Sequence, residues 1–352
     1  MYTLFEKICA QLQLGAPLRP PTPLSGGLLH QMYSLHTPKG HYALKLLNPS
    51  VMERKTAPEN FRRAEMLERR LERYSLPILP SLTFEGRKMQ ETDGRFYYLF
   101  PWYGGRAIRP EAITRNHCRR IGCLLAAIHG AESFPDDAFC LRTDNGTPEA
   151  LPADVWADTP ADPAEGICVD WDFYIRGLER QHRELSLLLA HNRTVLYESQ
   201  ERGRQATGKL PFHAAICHND LDCKNVLWNG SDCRIIDLEC LSMGNSYFEL
   251  YETALYWSGY EQDQLHVRLL ESFLCAYRQE GGLFPEGWEL LYDGCCGRLE
   301  WLEYNLQRVL DESCPEAEKH IGLQEIPRTI AHAVSYRNFR DRILRCLEQF
   351  VA

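Results

Sequence analysis

The chain has 352 residues, of which 44% are hydrophobic and 25% charged, and it carries a formal net charge of -9 with a pI of about 5.8. This length buries a substantial core as one large domain or two coupled ones, and the composition is ordinary for a soluble globular protein. The acidic balance argues against a nucleic-acid partner, which calls for a basic face, and is compatible with a cationic small substrate.

In chain order, residues 1–14 read as a short amphipathic helix without the basic and apolar regions of a signal peptide. No run approaches the ~18 apolar residues of a membrane helix. Residues 17–23 are a proline-rich, extended lead-in, and residues 24–36 run from a glycine turn into a strand. Residues 37–40 have turn chemistry and residues 41–47 form a second strand, so the two make a hairpin. Residues 59–74 carry Phe61, Ala64, Leu67, Leu71 and Tyr74 at helical spacing. Strands are expected around 79–84 and 96–100, before Pro101-Trp-Tyr-Gly-Gly105 breaks the pattern. The domain boundary is placed there, giving a lobe of residues 1–102 and another of 103–352. Beyond it, residues 117–129, 170–190, 247–280, 287–311 and 326–350 read as helical, and 143–165 as a loop.

Fourteen cysteines are present, with no C-x-x-C pair. The spacing of Cys217, Cys223, Cys233 and Cys240 is unlike a zinc site. Reduced, partly buried thiols in a cytoplasmic protein are the expectation.

The most informative stretch is Cys217-His-Asn-Asp-Leu-Asp-Cys-Lys-Asn-Val-Leu-Trp228. It ends in a short strand, followed by the tight-turn signal Asn229-Gly230 and a return strand that runs into Ile236-Asp237-Leu238-Glu239. A hairpin brings the position after its second strand beside the position before its first. Asn225 and Asp237 therefore converge at its open end, and Asp220 lies on the loop entering it. Such oxygen donors suit Mg²⁺ holding nucleotide phosphates, and a free carboxylate nearby suits orienting a hydroxyl and taking its proton.

On these residues the sequence resembles the aminoglycoside phosphotransferase and choline kinase superfamily, relatives of the protein kinases, over roughly residues 20–310. The resemblance implies an α+β, protein-kinase-like two-lobed fold. Its N-lobe would be small and β-rich with one main helix, and its C-lobe larger and mostly helical. His218, Asp220 and Asn225 match the family's catalytic loop, and Asp237 its metal-binding acid. Ser25, Gly26 and Gly27 stand where the nucleotide-covering loop belongs, though they are not a full G-x-G-x-x-G. Lys45, in Tyr-Ala-Leu-Lys, matches the strand lysine. Glu65 on the next helix is its expected partner, with Glu68 and Glu72 as alternatives. Phe100 and Trp102 fall at the adenine-binding hinge. The roles implied are those of phosphoryl transfer: Asp220 as base, with His218 bracing its loop, Asn225 and Asp237 holding Mg²⁺, and Lys45 on the α- and β-phosphates of ATP, or of GTP. The acceptor would be a small-molecule hydroxyl of aminoglycoside, amino-alcohol or sugar type. No activation segment with A-P-E follows Asp237, which argues against protein substrates. The alternative is a non-catalytic relative, a binding or structural protein such as some spore-coat proteins.

In residues 297–310, Leu299, Leu302, Leu306 and Val309 make a core stripe, while Glu300, Glu303, Tyr304 and Gln307 share another face. That face is either solvated or a binding surface for an amine. Trp301 and Asn305 are further pocket candidates, and Glu249 and Glu252 either orient the metal-binding loop from behind or, as acids at a helix N-terminus favour, cap the helix that begins near Asn245.

Overall fold

The computed structural model describes residues 2–24, 30–131, 141–142, 148–149, 167–260, 264–296 and 298–352. Its class is α+β, and packing divides the chain into two compact units. One comprises Met1–Ala112, Ala127–Trp156 and Ala215–Met243; the other comprises Ile113–Ala126, Ala157–Ala214 and Gly244–Ala352.

The first unit is built on a five-stranded antiparallel sheet of β1 (Thr22–Leu24), β2 (Gln31–Thr37), β3 (Gly40–Leu46), β4 (Gln90–Thr92) and β5 (Arg95–Pro101), in the order β1-β2-β3-β5-β4. Side chains alternate between its faces. Tyr33, Leu35, Leu44, Leu46, Tyr97 and Leu99 form one face, which is covered by Phe5, Ile8 and Cys9 from helix α1 (Tyr2–Gln11) and by Leu12 and Leu14 beyond it. Each such burial contributes about 1.5–3 kcal/mol, so this apolar layer fixes which way β3 faces. Lys45 therefore points to the other face, opposite Met32 on β2 and Tyr98 on β5.

A short helix α2 (Pro49–Met52) follows β3, capped by the Asn48 side chain, which accepts from the Ser50 amide. Helix α3 (Ala57–Arg73) buries Phe61, Ala64, Leu67 and Leu71 of the expected stripe, while Tyr74 follows its end as the C-cap and is half-buried. Phe61 and Ala57 pack with Tyr98 and Leu47 on the Lys45 side of the sheet.

The strand expected at 79–84 is absent. Pro77 and Pro80 lack the amides a ladder needs, and the segment makes only isolated bridges at Ile78 and Phe84. One of these bridges has a consequence for the division of the chain. Leu79 donates to the Ile235 carbonyl at 2.8 Å and Ile235 to the Pro77 carbonyl at 2.9 Å. These bonds tie residues 215–243 to the sheet unit.

The second unit is helical. Its described helices include Trp171–Leu178, Arg183–Thr207, Ser246–Trp257, Val267–Gln279, Glu289–Cys295, Leu299–Leu310 and Glu316–Leu347. The helical reading of residues 170–190 takes the form of two helices, the first capped by Asp170, whose carboxylate accepts from the Phe173 amide. Trp171, Leu178, Leu189, Leu196, Ile326 and Ile330 form one core with the Leu299, Leu302, Leu306 and Val309 stripe. The loop expected at 143–165 lies outside the described residues, apart from the short strand Pro148–Glu149.

Candidate active site

The hairpin of Val226–Asn229 and Asp232–Ile235 forms as its turn residues dictate, with Asn229 opposite Asp232 and Gly230 at φ 63°. The pairing continues one step further, where Ile236 donates to the Asn225 carbonyl at 2.9 Å. Asn225 and Asp237 therefore meet at the open end. Asp237 adopts φ 65°, ψ 50°, a left-handed conformation uncommon for a residue with a Cβ. Strain of this kind concentrates at working sites.

His218 is fully buried and bridges the two sides of this end. Its Nδ1 accepts from the Asp220 amide at 3.3 Å. That leaves Nε2 to carry the hydrogen, which it donates to the Ile236 carbonyl at 3.0 Å. Both ring nitrogens are engaged by backbone. Asn225 is also buried, and its Nδ2 donates to the Asp220 carbonyl oxygen at 2.8 Å and to Asp220 Oδ2 at 2.9 Å. Both amide hydrogens are thereby spent on Asp220, and Oδ1 is the Asn225 atom available to a cation. Lys224 Nζ lies 3.1 Å from the Asp220 carboxylate and 2.7 Å from Asp222 Oδ2.

Lys45 comes to the same place from β3. Its ammonium donates to Asp237 Oδ1 at 2.6 Å and to Glu239 Oε2. Burial opposes the Lys45 charge, yet the carboxylates of Glu239 and Asp237 outweigh it and raise the ammonium above its ordinary value. Burial pushes the Asp237 carboxyl up, but the charge and hydrogen bond of Lys45 prevail and hold it below its ordinary value. Glu239 has a further partner in His30, whose Nε2 is 3.0 Å from Oε1. Oxygen donors from Asn225 and an ionised Asp237, beside a lysine cation, suit a hard divalent ion bridging to phosphate oxygens.

The expected partner of Lys45 needs correcting. Glu65 Oε1 accepts instead from the Met89 amide and from the Tyr98 hydroxyl, each at 2.9 Å. Glu68 accepts from Ser81 and Lys88, and Glu72 from Lys88. The helix acids are occupied by the strand side of α3, while Lys45 is met by the acids of the turn after the hairpin. Glu239 was legible as the second acid of Ile-Asp-Leu-Glu; nothing in the sequence singled out His30.

Phe100 lies opposite Ala43, on the same sheet face as Lys45. Trp102 stacks on His41 at 3.8 Å between ring centroids, and His41 on His36 at 3.6 Å. One face of the expected hinge tryptophan is therefore covered by histidine. Ser25, Gly26 and Gly27 lie outside the described residues.

Residues 21–284 match the phosphotransferase enzyme family, APH. The chain belongs to this family. Comparison with curated proteins gave no match. Among solved structures, this phosphotransferase is similar to spectinomycin phosphotransferase APH(9)-Ia in complex with ADP and spectinomycin, at 13% identity and a TM-score of 0.63, covering 94% of this chain and 97% of that one. It is similar to a choline/ethanolamine kinase family protein from Mesorhizobium loti at 18% identity and a TM-score of 0.58, covering 99% and 100%. It is similar also to amicoumacin kinase hAmiN in complex with AMP-PNP, Ca²⁺ and Ami, at 13% identity and a TM-score of 0.56, covering 92% of each chain. The shared fold is the protein-kinase-like one, with a small antiparallel-sheet lobe and a helical lobe.

In the helical unit of this phosphotransferase, the acceptor candidates separate. Asn305 is wholly buried, its Nδ2 donating to the Trp301 carbonyl at 2.7 Å, so it lines no open surface. Glu303 accepts from the Tyr174 hydroxyl at 3.1 Å, and the Arg308 guanidinium lies 4.3 Å from the Tyr304 ring centroid. Trp301 and Tyr304 remain exposed. The helix Ser246–Trp257 is capped by Asn245 rather than by Glu249 or Glu252. Glu252 faces the Cys295 thiol at 3.6 Å, and desolvation pushes its carboxyl up to about 7. Every described cysteine is a free thiol.

Proposed function

We propose that this phosphotransferase is an ATP-dependent kinase that moves the γ-phosphoryl group to a hydroxyl of a small molecule. The observation that carries the reading is the ion cluster in which the buried Lys45 of β3 meets Asp237 and Glu239 on the turn after the hairpin that the Asp220–Asn225 loop enters. ADP and AMP-PNP in the similar structures support the nucleotide, and spectinomycin supports a hydroxyl-bearing acceptor. The functional lobes are taken as residues 1–102, for the nucleotide, and 103–352, for catalysis and the acceptor.

Asp220 would take the acceptor's proton at its carboxylate, held in place by the Asn225 amide. His218, with both nitrogens bound to backbone, keeps the loop in register with Asp237. Lys45 would contact the α- and β-phosphates. Bound between Asn225 and Asp237, Mg²⁺ would supply neutralisation of phosphate charge. Such chemistry needs alignment and charge compensation, which these residue types provide without a covalent nucleophile. The net charge of -9 favours a cationic acceptor such as an aminoglycoside or amino alcohol. Free thiols throughout the described residues favour a cytoplasmic setting. No helix among the described residues is long and apolar enough to cross a membrane.

A thermal-shift titration with ATP, GTP and Mg²⁺, followed by an ADP-release screen over aminoglycosides, amino alcohols and sugars, tests the reading. The expected result is a Mg²⁺-dependent rise in melting temperature with ATP and turnover on one acceptor class. No shift with either nucleotide would sink it and leave a non-catalytic binding protein.

A further inference from the structure

We infer that His30 is a positioning residue, which acts through Glu239 to hold the Lys45 ammonium for the nucleotide phosphates. The inference rests on the functional reading above. His30 is buried just before β2, and both of its ring nitrogens have partners. The Asn48 amide donates to Nδ1 at 3.0 Å. A backbone N–H can only donate, so Nδ1 is bare and Nε2 carries the hydrogen. That N–H is aimed at Glu239 Oε1, 3.0 Å away, and Glu239 Oε2 accepts from Lys45. The order is thus backbone amide, imidazole, carboxylate, ammonium. It begins at Asn48, whose side chain caps α2 and so anchors the far end.

The arrangement answers a problem the site sets itself. Asp237 is both a partner of Lys45 and the acid proposed to hold the metal. Lys45 holds Oδ1, which leaves Oδ2 for a cation, so Asp237 divides its charge between the two. The helix acid Glu65 is engaged elsewhere, its Oε1 accepting from Met89 and Tyr98. Glu239 is then the standing partner of Lys45. A carboxylate on a short turn can rotate, and His30 restricts that rotation by engaging one oxygen while the other faces the lysine.

The test uses the full chain and AMP-PNP with Mg²⁺, its affinity measured by calorimetry, alongside kcat and KM for ATP and for an acceptor found in the screen. The variants are His30→Leu, His30→Gln, Glu239→Gln and the double variant H30L/E239Q. Removing a hydrogen bond to a charged group should weaken nucleotide binding by about 10-fold or more in His30→Leu. KM for the acceptor should stay unchanged. His30→Gln, which can still donate to Glu239, should recover most of the loss. The double variant should bind no more weakly than Glu239→Gln alone, because His30 acts through that residue.

Additive losses in the double variant would overturn the inference, as would equal impairment in His30→Leu and His30→Gln. If His30→Leu does not fold, the wild-type imidazole nitrogen spectrum decides, and a ring protonated at Nδ1 overturns it. Wild-type protein that binds no nucleotide overturns the functional reading and this one together. Wild-type binding combined with additive losses overturns this one alone.

Discussion

The sheet unit contains two buried lysine–carboxylate clusters built from the same residue types, and they differ in what their atoms have left to do. Lys88 is fully buried and donates to Glu68 at 2.9 Å, to Glu72 at 3.2 Å and to the Ser81 carbonyl at 3.0 Å. Its three hydrogens are all accounted for. Glu68 also accepts from the Ser81 amide at 2.6 Å. Desolvation dominates there and raises the Glu68 carboxyl, against the pull of Lys88. In the Lys45 cluster the balance is reversed. The Asp237 side chain is 30% exposed where that of Glu68 is 7%, and its carboxyl is lowered. An acid held ionised, partly open and on a left-handed turn can exchange partners with a ligand; a saturated acid on the buried side of α3 can only hold the fold. A perturbed ion pair is therefore a poor marker of function by itself.

The largest effect expected is on turnover. Asp220→Ala should lower kcat by about 10²–10⁴-fold while leaving nucleotide affinity and melting temperature nearly unchanged. Asp237→Ala should weaken Mg²⁺-nucleotide binding itself. Calorimetry beside steady-state kinetics separates the two, and near-wild-type turnover in Asp220→Ala would remove it as the base.

The contrast between the clusters is tested most directly by exchanging each lysine for methionine. Lys88→Met leaves Glu68 buried without its cation and should cost about 3–5 kcal/mol in urea unfolding, with the folded enzyme still active. Lys45→Met should cost less stability, since Asp237 can turn to water, and should abolish turnover. Equal stability losses for the two variants would erase the distinction between the clusters.

The pH dependence of stability sharpens it. Asp237 is depressed in the folded protein, so it contributes stability that is complete above its unfolded value of about 3.9 and is lost as pH falls through the lower folded value. Asp237→Asn should flatten the acid limb of a stability–pH curve. Glu68, being raised, has the opposite sign: stability falls as pH rises from the ordinary glutamate value through the folded one. Glu68→Gln should leave the acid limb in place. The smallest effect belongs to Glu65→Gln, which weakens the bonds from Met89 and Tyr98. It should cost about 1 kcal/mol in urea unfolding and leave AMP-PNP affinity unmoved. A large loss of affinity would mean that Lys45 turns to Glu65 when nucleotide binds.

Much of this protein was written locally. The α3 stripe, the Asn229-Gly230 turn and the meeting of Asn225 with Asp237 depend on spacing and turn chemistry over a few residues, so they could be read before any coordinates. The α+β class, the protein-kinase-like fold and the membership in a phosphotransferase family followed from the same short motifs. What the sequence could not supply was the choice among equivalent partners. Lys45 had three glutamates at helical spacing on α3, and spacing alone cannot rank them. Tertiary structure ranked them by spending Glu65 on Tyr98 and Met89 and Glu68 on Lys88, which left Lys45 to the acids of the turn. His30 was beyond reach for the same reason: it lies 209 positions before Glu239, and only packing brings them together. Prolines at 77 and 80 turned an expected strand into an extended edge that bonds Ile235 and so draws the Val226–Ile235 hairpin into the sheet unit. Local chemistry determined which elements form, because their hydrogen bonds close within a few residues; long-range packing decided which charges meet, because burial leaves each buried ion only the partners that the fold brings within reach.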